Sequence, residues 1–469
     1  MMTSAEIEAL VKQTVQELGS GSASAVSFSS GQWLCADAEE AVHNALEAQR
    51  KLAKMSLEQR GRLIESMRAA SRTNAEYLAE LAHKETGYGN TAHKTLKNLL
   101  AADKTPGTED LDTQAFSGDD GLTIVEQAPW GVIGSITPST NPTSTVINNS
   151  ISMIAAGNAV VYNPHPGAKH ASQETMRVLN EAIVAAGGPA ALITTVREPT
   201  LISGNNIMAH PRVPLLSITG GEAVVAQAMK YPKRVIAAGP GNPPVIVDDS
   251  ANIPYAAKCI ADGASFDNNV LCVAEKEIFV FAHVANALME ELTENQGAWR
   301  VRGADIDKVA NTVLVESDGK YTPNRSFVGR DASYILEKSG ISFYSKPRLV
   351  IAEVHHDHPF IYTEMLMPVL PIVRVKNIEE AVGRAVKAEN GYAHSAIVHS
   401  QLIGNLTFAA TELNTTIFVK NAPSYAGLGF GGQGFATLTI STPTGEGLTS
   451  ARTFTRPRRC VLKGDLRII

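Results

Sequence analysis

Residues 215–236, LLSITGGEAVVAQAMKYPKRVI, determine the fold class of this chain. Residues 215–218, three of which are apolar, are typical of a buried strand, and Thr219 and two glycines follow them before a helical pattern over residues 223–229. Residues 234–236 have the pattern of a second strand. A strand, a helix and another strand in this order predict a parallel βαβ unit, hence an α/β domain that binds a ligand at the carboxyl ends of its strands.

The same alternation continues on both sides of this segment. Residues 37–105 have a helical pattern with few glycines, and a further helix is predicted at about residues 168–186. The other predicted strands are residues 122–126, 132–136, 159–162, 192–196, 245–247, 277–280, 369–375 and 416–419. Because the alternation starts again after residue 245, we expect a second α/β domain.

The composition excludes several classes of protein. The chain has 469 residues, a net charge of −6 and no run of 18 apolar residues, so we expect no membrane span and no nucleic-acid partner. The N-terminus lacks a basic stretch followed by an apolar one, so we expect no secretory signal. Four cysteines without a close-spaced pair argue against a disulfide framework and a zinc knuckle, and favour a reducing cytosol.

The first 18 residues predict an amphipathic helix on a tether. Ile7, Leu10, Val11, Thr14, Val15 and Leu18 recur at three- and four-residue steps, and a stretch rich in glycine, serine and alanine follows from residue 19. The apolar face of this helix either docks onto a partner or packs on its own domain, and the pattern leaves both alternatives open.

Two motifs that suggest ligands are rejected. Residues 429–434, GFGGQG, match G-x-G-x-x-G, but the strand-like residues 435–440 follow where a dinucleotide fingerprint needs a helix. Residues 355–358, HHDH, suggest a metal site. On an extended segment neighbouring side chains point to opposite faces, so we expect a solvated loop and no metal.

Residues 265–276, SFDNNVLCVAEK, contain the strongest candidate for a catalytic group. A turn-prone Asp-Asn-Asn delivers Cys272 to the start of a new segment, where free backbone N–H groups are able to stabilise a thiolate. The alternative is that Cys272 is a small buried hydrophobic residue, the commonest fate of a free cysteine.

Several motifs together resemble one family. They are residues 137–142 (TPSTNP), 163–166 (NPHP), 219–221 (TGG), 239–244 (GPGNPP), 265–276, 364–369 (EMLMPV), 419–421 (VKN), 443–447 (PTGEG) and 449–454 (TSARTF). In this order they resemble the CoA-acylating aldehyde dehydrogenases, from about residue 35 to the end of the chain. Residues 1–18 resemble the encapsulation peptide of enzymes housed in bacterial microcompartments of the propanediol- and ethanolamine-utilisation type.

The resemblance implies a role for each motif. Cys272 would attack the aldehyde and Asn141, with the backbone N–H of Cys272, would stabilise the oxyanion. NAD would lie with its adenosine near residues 163–165, its pyrophosphate near residues 219–221 and its nicotinamide ribose near Glu364. The implied cofactor-binding residues are Thr137, Pro138, Ser139, Asn163, Pro164, His165, Thr219, Gly220, Gly221, Glu364 and Leu366.

One residue that differs from hydrolytic aldehyde dehydrogenases indicates what happens to the thioester formed on Cys272. Those enzymes carry a water-activating glutamate at the position that Ala237 matches here. Without it, the Cys272 thioester is expected to persist until the thiol of coenzyme A attacks it, which gives a ping-pong oxidation of propionaldehyde (favoured) or acetaldehyde to acyl-CoA. Glu275 is expected to be a helix-surface charge. The alternatives are a hydrolytic enzyme that makes a free acid and a non-catalytic shell-associated protein.

The resemblance also implies an architecture of two doubly wound α/β domains and a small β element for oligomerisation. We expect an NAD-binding domain at residues 35–110 and 130–235, a catalytic domain at 236–449 and oligomerisation strands at 111–129 and 450–469, with a helix at 1–18 and a linker at 19–34. Unpaired strand edges predict a homodimer or homotetramer. The expected location is the cytoplasm, inside a bacterial microcompartment whose shell or cargo binds residues 1–18.

Overall fold

A computed structural model describes residues 32–467, and the predicted helix at residues 1–18 lies outside them. The first half of the described chain contains β1 (Leu34–Cys35), α1 (Ala38–Leu52), α2 (Leu57–Thr73), α3 (Ala75–Thr86), α4 (Thr91–Lys104), β2 (Gln114–Gly118), β3 (Gly121–Pro129), β4 (Val132–Thr137), α5 (Pro142–Ala155), β5 (Ala159–Pro164), α6 (Lys169–Ala185), β6 (Ile193–Val196), α7 (Leu201–Ala209), β7 (Leu215–Thr219), α8 (Glu222–Ala228) and β8 (Arg234–Ala238).

The second half contains β9 (Pro244–Val247), α9 (Ile253–Ser265), β10 (Glu277–Phe281), α10 (Ala285–Glu294), β11 (Ala298–Val301), α11 (Ala304–Val313), β12 (Leu314–Ser317), β13 (Lys320–Pro323), α12 (Ala332–Lys338), β14 (Leu349–Glu353), α13 (Pro359–Tyr362), β15 (Val369–Val375), α14 (Ile378–Ala388), β16 (Ser395–His399), α15 (Ile403–Leu413), β17 (Ile417–Lys420), β18 (Ile440–Ser441), β19 (Gly447–Leu448) and β20 (Thr455–Lys463).

The first parallel sheet has the strand order β1-β6-β5-β4-β7-β8. From β4 the chain builds outward through β5 and β6, then returns to the other side of β4 to add β7 and β8. The order therefore reverses next to β4, and sheets of this topology bind ligands at that point, at the carboxyl ends of the strands. Strands β4 to β7 are almost wholly buried because helices cover both faces, which explains the continuous apolar runs in the sequence.

The second parallel sheet has the order β11-β14-β15-β10-β9-β16-β17. Its central strands pack into a continuous apolar core with α9 and α10 on one face and with α14 and α15 on the other. The predicted α/β class with two doubly wound sheets is confirmed. The exact domain boundaries remain a prediction.

A separate antiparallel sheet contains β2, β3 and β20, with β3 in the centre. Residues 455–463 thus pair with residues 121–129 across the whole length of both strands, as the sequence predicted for a small β element. The role of this sheet in oligomerisation remains a prediction. Within residues 32–467, each helix is too short or too polar to cross a bilayer.

The two parallel sheets are joined by a short loop at residues 239–243, between β8 and β9. This loop leaves the carboxyl end of the first sheet and enters the amino end of the second. Close packing holds it in place, because a Cβ atom added at Gly241 would lie only 2.7 Å from the carbonyl oxygen of Cys272. The loop therefore brings the ligand-binding edge of the first sheet next to the predicted nucleophile.

Candidate active site

A strained turn presents Cys272 between α9 and β10. Asp267, Asn268 and Asn269 have φ angles of 48°, 53° and 65°, the left-handed region in which Asp and Asn are the most tolerated residues after glycine. The side-chain amide of Asn269 holds the turn by donating to the carbonyl oxygens of Ala264 and Glu275, at 2.8 and 3.0 Å. The predicted Asp-Asn-Asn turn is thus present, and its residue types explain the backbone conformation.

The Cys272 side chain is half-buried, and its surroundings contain groups that oppose a negative sulfur and groups that favour it. Burial is the main reason that the pKa of the thiol is raised to about 12, and the negative charge of Glu364 adds to this. The positive charge of Lys276 and the backbone N–H groups of Cys272 and Val273 act in the opposite direction. Cys272 is therefore a neutral thiol at rest, and Lys276 and the two backbone N–H groups favour its negative form once the proton leaves.

Asn141 lies at the carboxyl end of β4, where it precedes α5. Its side chain is buried, and its Oδ1 atom accepts a hydrogen bond of 2.6 Å from the ammonium of Lys97. The same ammonium also bonds to Asp267 in the cysteine turn. The Asn141 amide and the Cys272 segment are therefore connected through one buried cation, which the sequence did not indicate.

Glu364 comes from the loop before β15 and is half-buried beside the junction of the two sheets. It accepts the backbone N–H of Gly241 at 3.2 Å, and burial raises its pKa. Leu366, two residues later, has a φ of 51°, which is unusual for a leucine and marks a tightly shaped loop. The predicted ribose-binding carboxylate is thus placed close to the cysteine, whose pKa its charge raises.

The other predicted cofactor residues lie at one edge of the first sheet. Thr137 is the last residue of β4, Asn163 and Pro164 are the last two of β5, and Thr219 is the last of β7. The predicted residues that follow these strand ends are Pro138, Ser139, His165, Gly220 and Gly221. The structure therefore gathers them at the carboxyl edge of the sheet beside β4, where α/β sheets bind ligands. Their contacts with a cofactor remain a prediction.

Glu275 is not the surface charge that the sequence suggested. Its carboxylate is fully buried, and its two oxygens accept the backbone N–H and the hydroxyl of Ser424 at 2.8 and 2.7 Å. Burial raises the pKa of Glu275 to about 7. The prediction was wrong because residue 275 lies in the buried segment before β10, where Ser424 from a distant part of the chain satisfies the carboxylate.

The histidine-rich segment is a loop, as the sequence predicted, but its side chains are arranged differently from the prediction. The side chains of His355, His356 and Asp357 converge, with candidate ligand atoms all within 4.8 Å of one another. The argument from an extended segment was wrong because these residues form a turn. His358 points elsewhere and accepts the backbone N–H of Phe360 at the start of α13. The loop is largely exposed.

A buried histidine near the cysteine was also missed. His394 is fully buried, its Nδ1 atom lies 2.8 Å from the hydroxyl of Ser395, and its Nε2 atom has no partner among the described residues. Burial, with the charge of Lys276, lowers the pKa of His394 to about 4, so the ring is neutral. A Cβ atom added at Gly241 would lie 2.9 Å from this ring, on the same loop that contacts Cys272. A single histidine outside any motif gave no signal in the sequence.

A family model described as the aldehyde dehydrogenase family matches residues 32–438. The chain belongs to the aldehyde dehydrogenase family. The match covers both parallel sheets and includes Cys272 and Asn141.

Individual relatives in this family are close to the chain. It is 49% identical over 439 residues to an acetaldehyde dehydrogenase (acetylating) of Bilophila wadsworthia, covering 92% of this chain and 90% of that one. A solved propionaldehyde dehydrogenase from the Clostridium phytofermentans fucose utilisation bacterial microcompartment is 47% identical, with a TM-score of 0.91, covering 93% and 99% of the two chains.

A third relative is the propionaldehyde dehydrogenase of Rhodopseudomonas palustris, solved with bound CoA and an acylated cysteine. It is 44% identical to this chain, has a TM-score of 0.91, and the similarity covers 94% of this chain and 100% of that one. The predicted membership of the CoA-acylating, microcompartment-type branch of the aldehyde dehydrogenases is therefore confirmed.

Proposed function

We propose that this chain oxidises a short-chain aldehyde to an acyl-CoA with NAD as hydride acceptor and Cys272 as nucleophile. The observation that carries the proposal is the combination of two features. The backbone N–H groups of Cys272 and Val273 lower the pKa of the Cys272 thiol against the effect of burial, and the position that matches the water-activating glutamate is the buried Ala237. The first feature favours acylation of Cys272. The second means that no carboxylate at this position activates water to hydrolyse the Cys272 thioester.

The edge of the first sheet fits a dinucleotide. The hydroxyl of Thr137 is buried and has no hydrogen-bond partner within residues 32–467, so it is available to a ligand. A Cβ atom added at Gly221 would meet no atom within 4 Å, which leaves the backbone at the start of α8 open to a close approach. A nicotinamide cofactor, when bound, supplies the hydride acceptor. The residues that would hold it are Thr137, Pro138, Ser139, Asn163, Pro164, His165, Thr219, Gly220, Gly221, Glu364 and Leu366.

In the first half-reaction, Cys272 adds to the aldehyde carbonyl, and its thiol proton is released to solvent. The negative charge that develops on the substrate oxygen is stabilised by the Nδ2 group of Asn141 and by the backbone N–H of Cys272. Lys97 occupies the Oδ1 atom of Asn141 and the Thr140 hydroxyl takes one N–H of the amide at 3.2 Å, so the second N–H is left for this purpose. Departure of hydride from the same carbon leaves an acyl thioester on Cys272.

In the second half-reaction, the thiol of coenzyme A attacks the thioester and releases Cys272. A thiolate is a better nucleophile than neutral water, so no carboxylate at position 237 is needed for this transfer. The proton of the coenzyme A thiol ends on the released sulfur of Cys272, so the transfer needs no net proton acceptor.

The substrate that we favour is propionaldehyde, with acetaldehyde as the second candidate. Relatives of comparable identity are described with each of these two substrates, and one methylene group changes discrimination by only about 1–3 kcal/mol. We further propose that the enzyme works inside a bacterial microcompartment, since the Clostridium phytofermentans relative is from a fucose utilisation bacterial microcompartment, with residues 1–18 as the segment that binds shell or cargo. An assembly of two or four chains through the β2-β3-β20 sheet belongs to the same proposal.

Product analysis with and without coenzyme A tests this function. With NAD, propionaldehyde and coenzyme A, we expect continuous NADH formation and one propionyl-CoA for each NADH. Without coenzyme A, we expect a burst of about one NADH per active site and then arrest, because the thioester has no efficient acceptor. Sustained NADH formation with propionate as product would instead show a hydrolytic enzyme, and the absence of any NADH would show a non-catalytic protein.

A further inference from the structure

The buried ammonium of Lys97 bonds to Asn141, the proposed oxyanion donor. Lys97 and Lys94 lie three residues apart on the same face of α4, and both side chains are almost wholly buried. The ammonium of Lys97 donates to Asn141 Oδ1 at 2.6 Å and bonds to the carboxylate of Asp267. Lys94 bonds to the same Asp267 oxygen at 3.0 Å.

Asp267 anchors this arrangement to the cysteine turn. Its carboxylate is fully buried, bonds to both lysines and accepts the backbone N–H of Asn90 at 2.9 Å. Two lysines and one aspartate carry one net positive charge when all three are ionised. A buried ion group of this kind costs desolvation energy. Its presence beside a reactive cysteine therefore indicates a function other than stability alone.

The chemistry of the amide indicates that function. An ammonium is only a donor, so it selects the rotamer of Asn141 in which the carbonyl oxygen faces α4. The NH₂ group must then face away from Lys97. Its one hydrogen bond within residues 32–467 is donated to the hydroxyl of Thr140 at 3.2 Å. Without Lys97 the amide is free to rotate by half a turn, which would present a lone pair to the substrate oxygen and repel the charge that develops there.

We propose that Lys97 is a positioning residue for the oxyanion site, one that locks the Asn141 amide with its NH₂ group toward the substrate. Lys97 itself does not touch the reacting atoms in this account; it acts through Asn141, and Asp267 holds it in place. The inference rests on the proposed function, in which Asn141 stabilises the oxyanion formed at Cys272.

A double-mutant cycle tests the inference through single-turnover NADH formation from NAD and propionaldehyde without coenzyme A. Lys97→Met should slow this step about 10- to 100-fold, the range expected for the loss of one charge-assisted hydrogen bond. In an Asn141→Ala background the same substitution should change the rate by less than about threefold, because there is no amide left to orient. Multiplicative losses in the double variant, or an unchanged rate in Lys97→Met, would overturn the proposal.

A control variant and a second substitution at position 97 show whether Lys97 positions the Asn141 amide or only supports the fold. Lys233→Met removes a lysine whose ammonium also makes a 2.6 Å bond, to the carbonyl oxygen of His210, but at the opposite end of the first sheet, so its single-turnover rate should match the wild type. If Lys97→Met does not fold, the cycle is repeated with Lys97→Gln, for which we expect about a tenfold loss that again disappears with Asn141→Ala. A persistent loss in that background would overturn the proposal.

The wild-type burst distinguishes this inference from the proposed function. Suppose that the wild type forms about one NADH and one acyl group per active site, but the rate loss of the double variant equals the product of the two single losses. The proposed function then stands, and Lys97 has only a structural role. If the wild type forms no acyl group on Cys272, the proposed function itself has failed.

Discussion

A variant with alanine in place of Cys272 is expected to lose acyl-CoA formation by at least about 10⁴-fold, because no other group can hold the acyl chain as a thioester. NAD affinity should change little, since the predicted cofactor residues lie mostly at the edge of the first sheet and the cysteine comes from the turn before β10. The measurements are the steady-state kcat with saturating substrates and the dissociation constant of NAD by calorimetry.

The control for this experiment is Cys460→Ala. Cys460 is exposed on β20, far along the chain from the cysteine turn, and its loss should leave kcat unchanged. Dehydrogenase activity of Cys272→Ala above about one hundredth of the wild-type value would refute the assignment of the nucleophile, since the residual activity expected without it is much lower.

Replacement of Asn141 by alanine is expected to slow hydride transfer by about 10²- to 10³-fold, the effect of removing one oxyanion donor. The thermal midpoint should fall modestly, because the buried ammonium of Lys97 loses one acceptor, although Asn141 makes no capping hydrogen bond to α5. Single-turnover NADH formation and a thermal denaturation curve measure the two quantities separately.

Asn377→Ala provides the reciprocal control for Asn141→Ala. Asn377 also precedes a helix, but its side chain does cap α14 by accepting the backbone N–H of Glu380 at 3.0 Å. Its replacement should cost about 1 kcal/mol of stability and leave the single-turnover rate unchanged. If both variants lost stability and both kept the wild-type rate, Asn141 would be a structural residue and the proposed oxyanion site would be wrong.

The fold could be predicted because its strands are buried on both faces. Continuous apolar runs such as residues 215–218 and 245–247 differ clearly from the helical patterns between them, and the structure has a parallel strand at each of these places. The turn before Cys272 was predictable for a different reason. Asp and Asn tolerate left-handed backbone, so three of them in a row indicate where the chain changes direction.

The remainder of the site depends on contacts between distant parts of the chain. Lys97 and Asp267 are 170 residues apart, and Glu275 and Ser424 are 149 residues apart, so no local pattern could show that these charges are buried and paired. His394 has no surrounding motif, and its position next to Gly241 follows only from how β16 pairs with β9. Such residues become visible when burial and hydrogen bonding are known.

The most direct test of the account is the mass of the protein after incubation with NAD and propionaldehyde in the absence of coenzyme A. We expect one propionyl group per chain, located on the peptide that contains Cys272 and removed when coenzyme A is added. A wild-type protein that forms NADH but carries no acyl group on Cys272 would contradict the central claim.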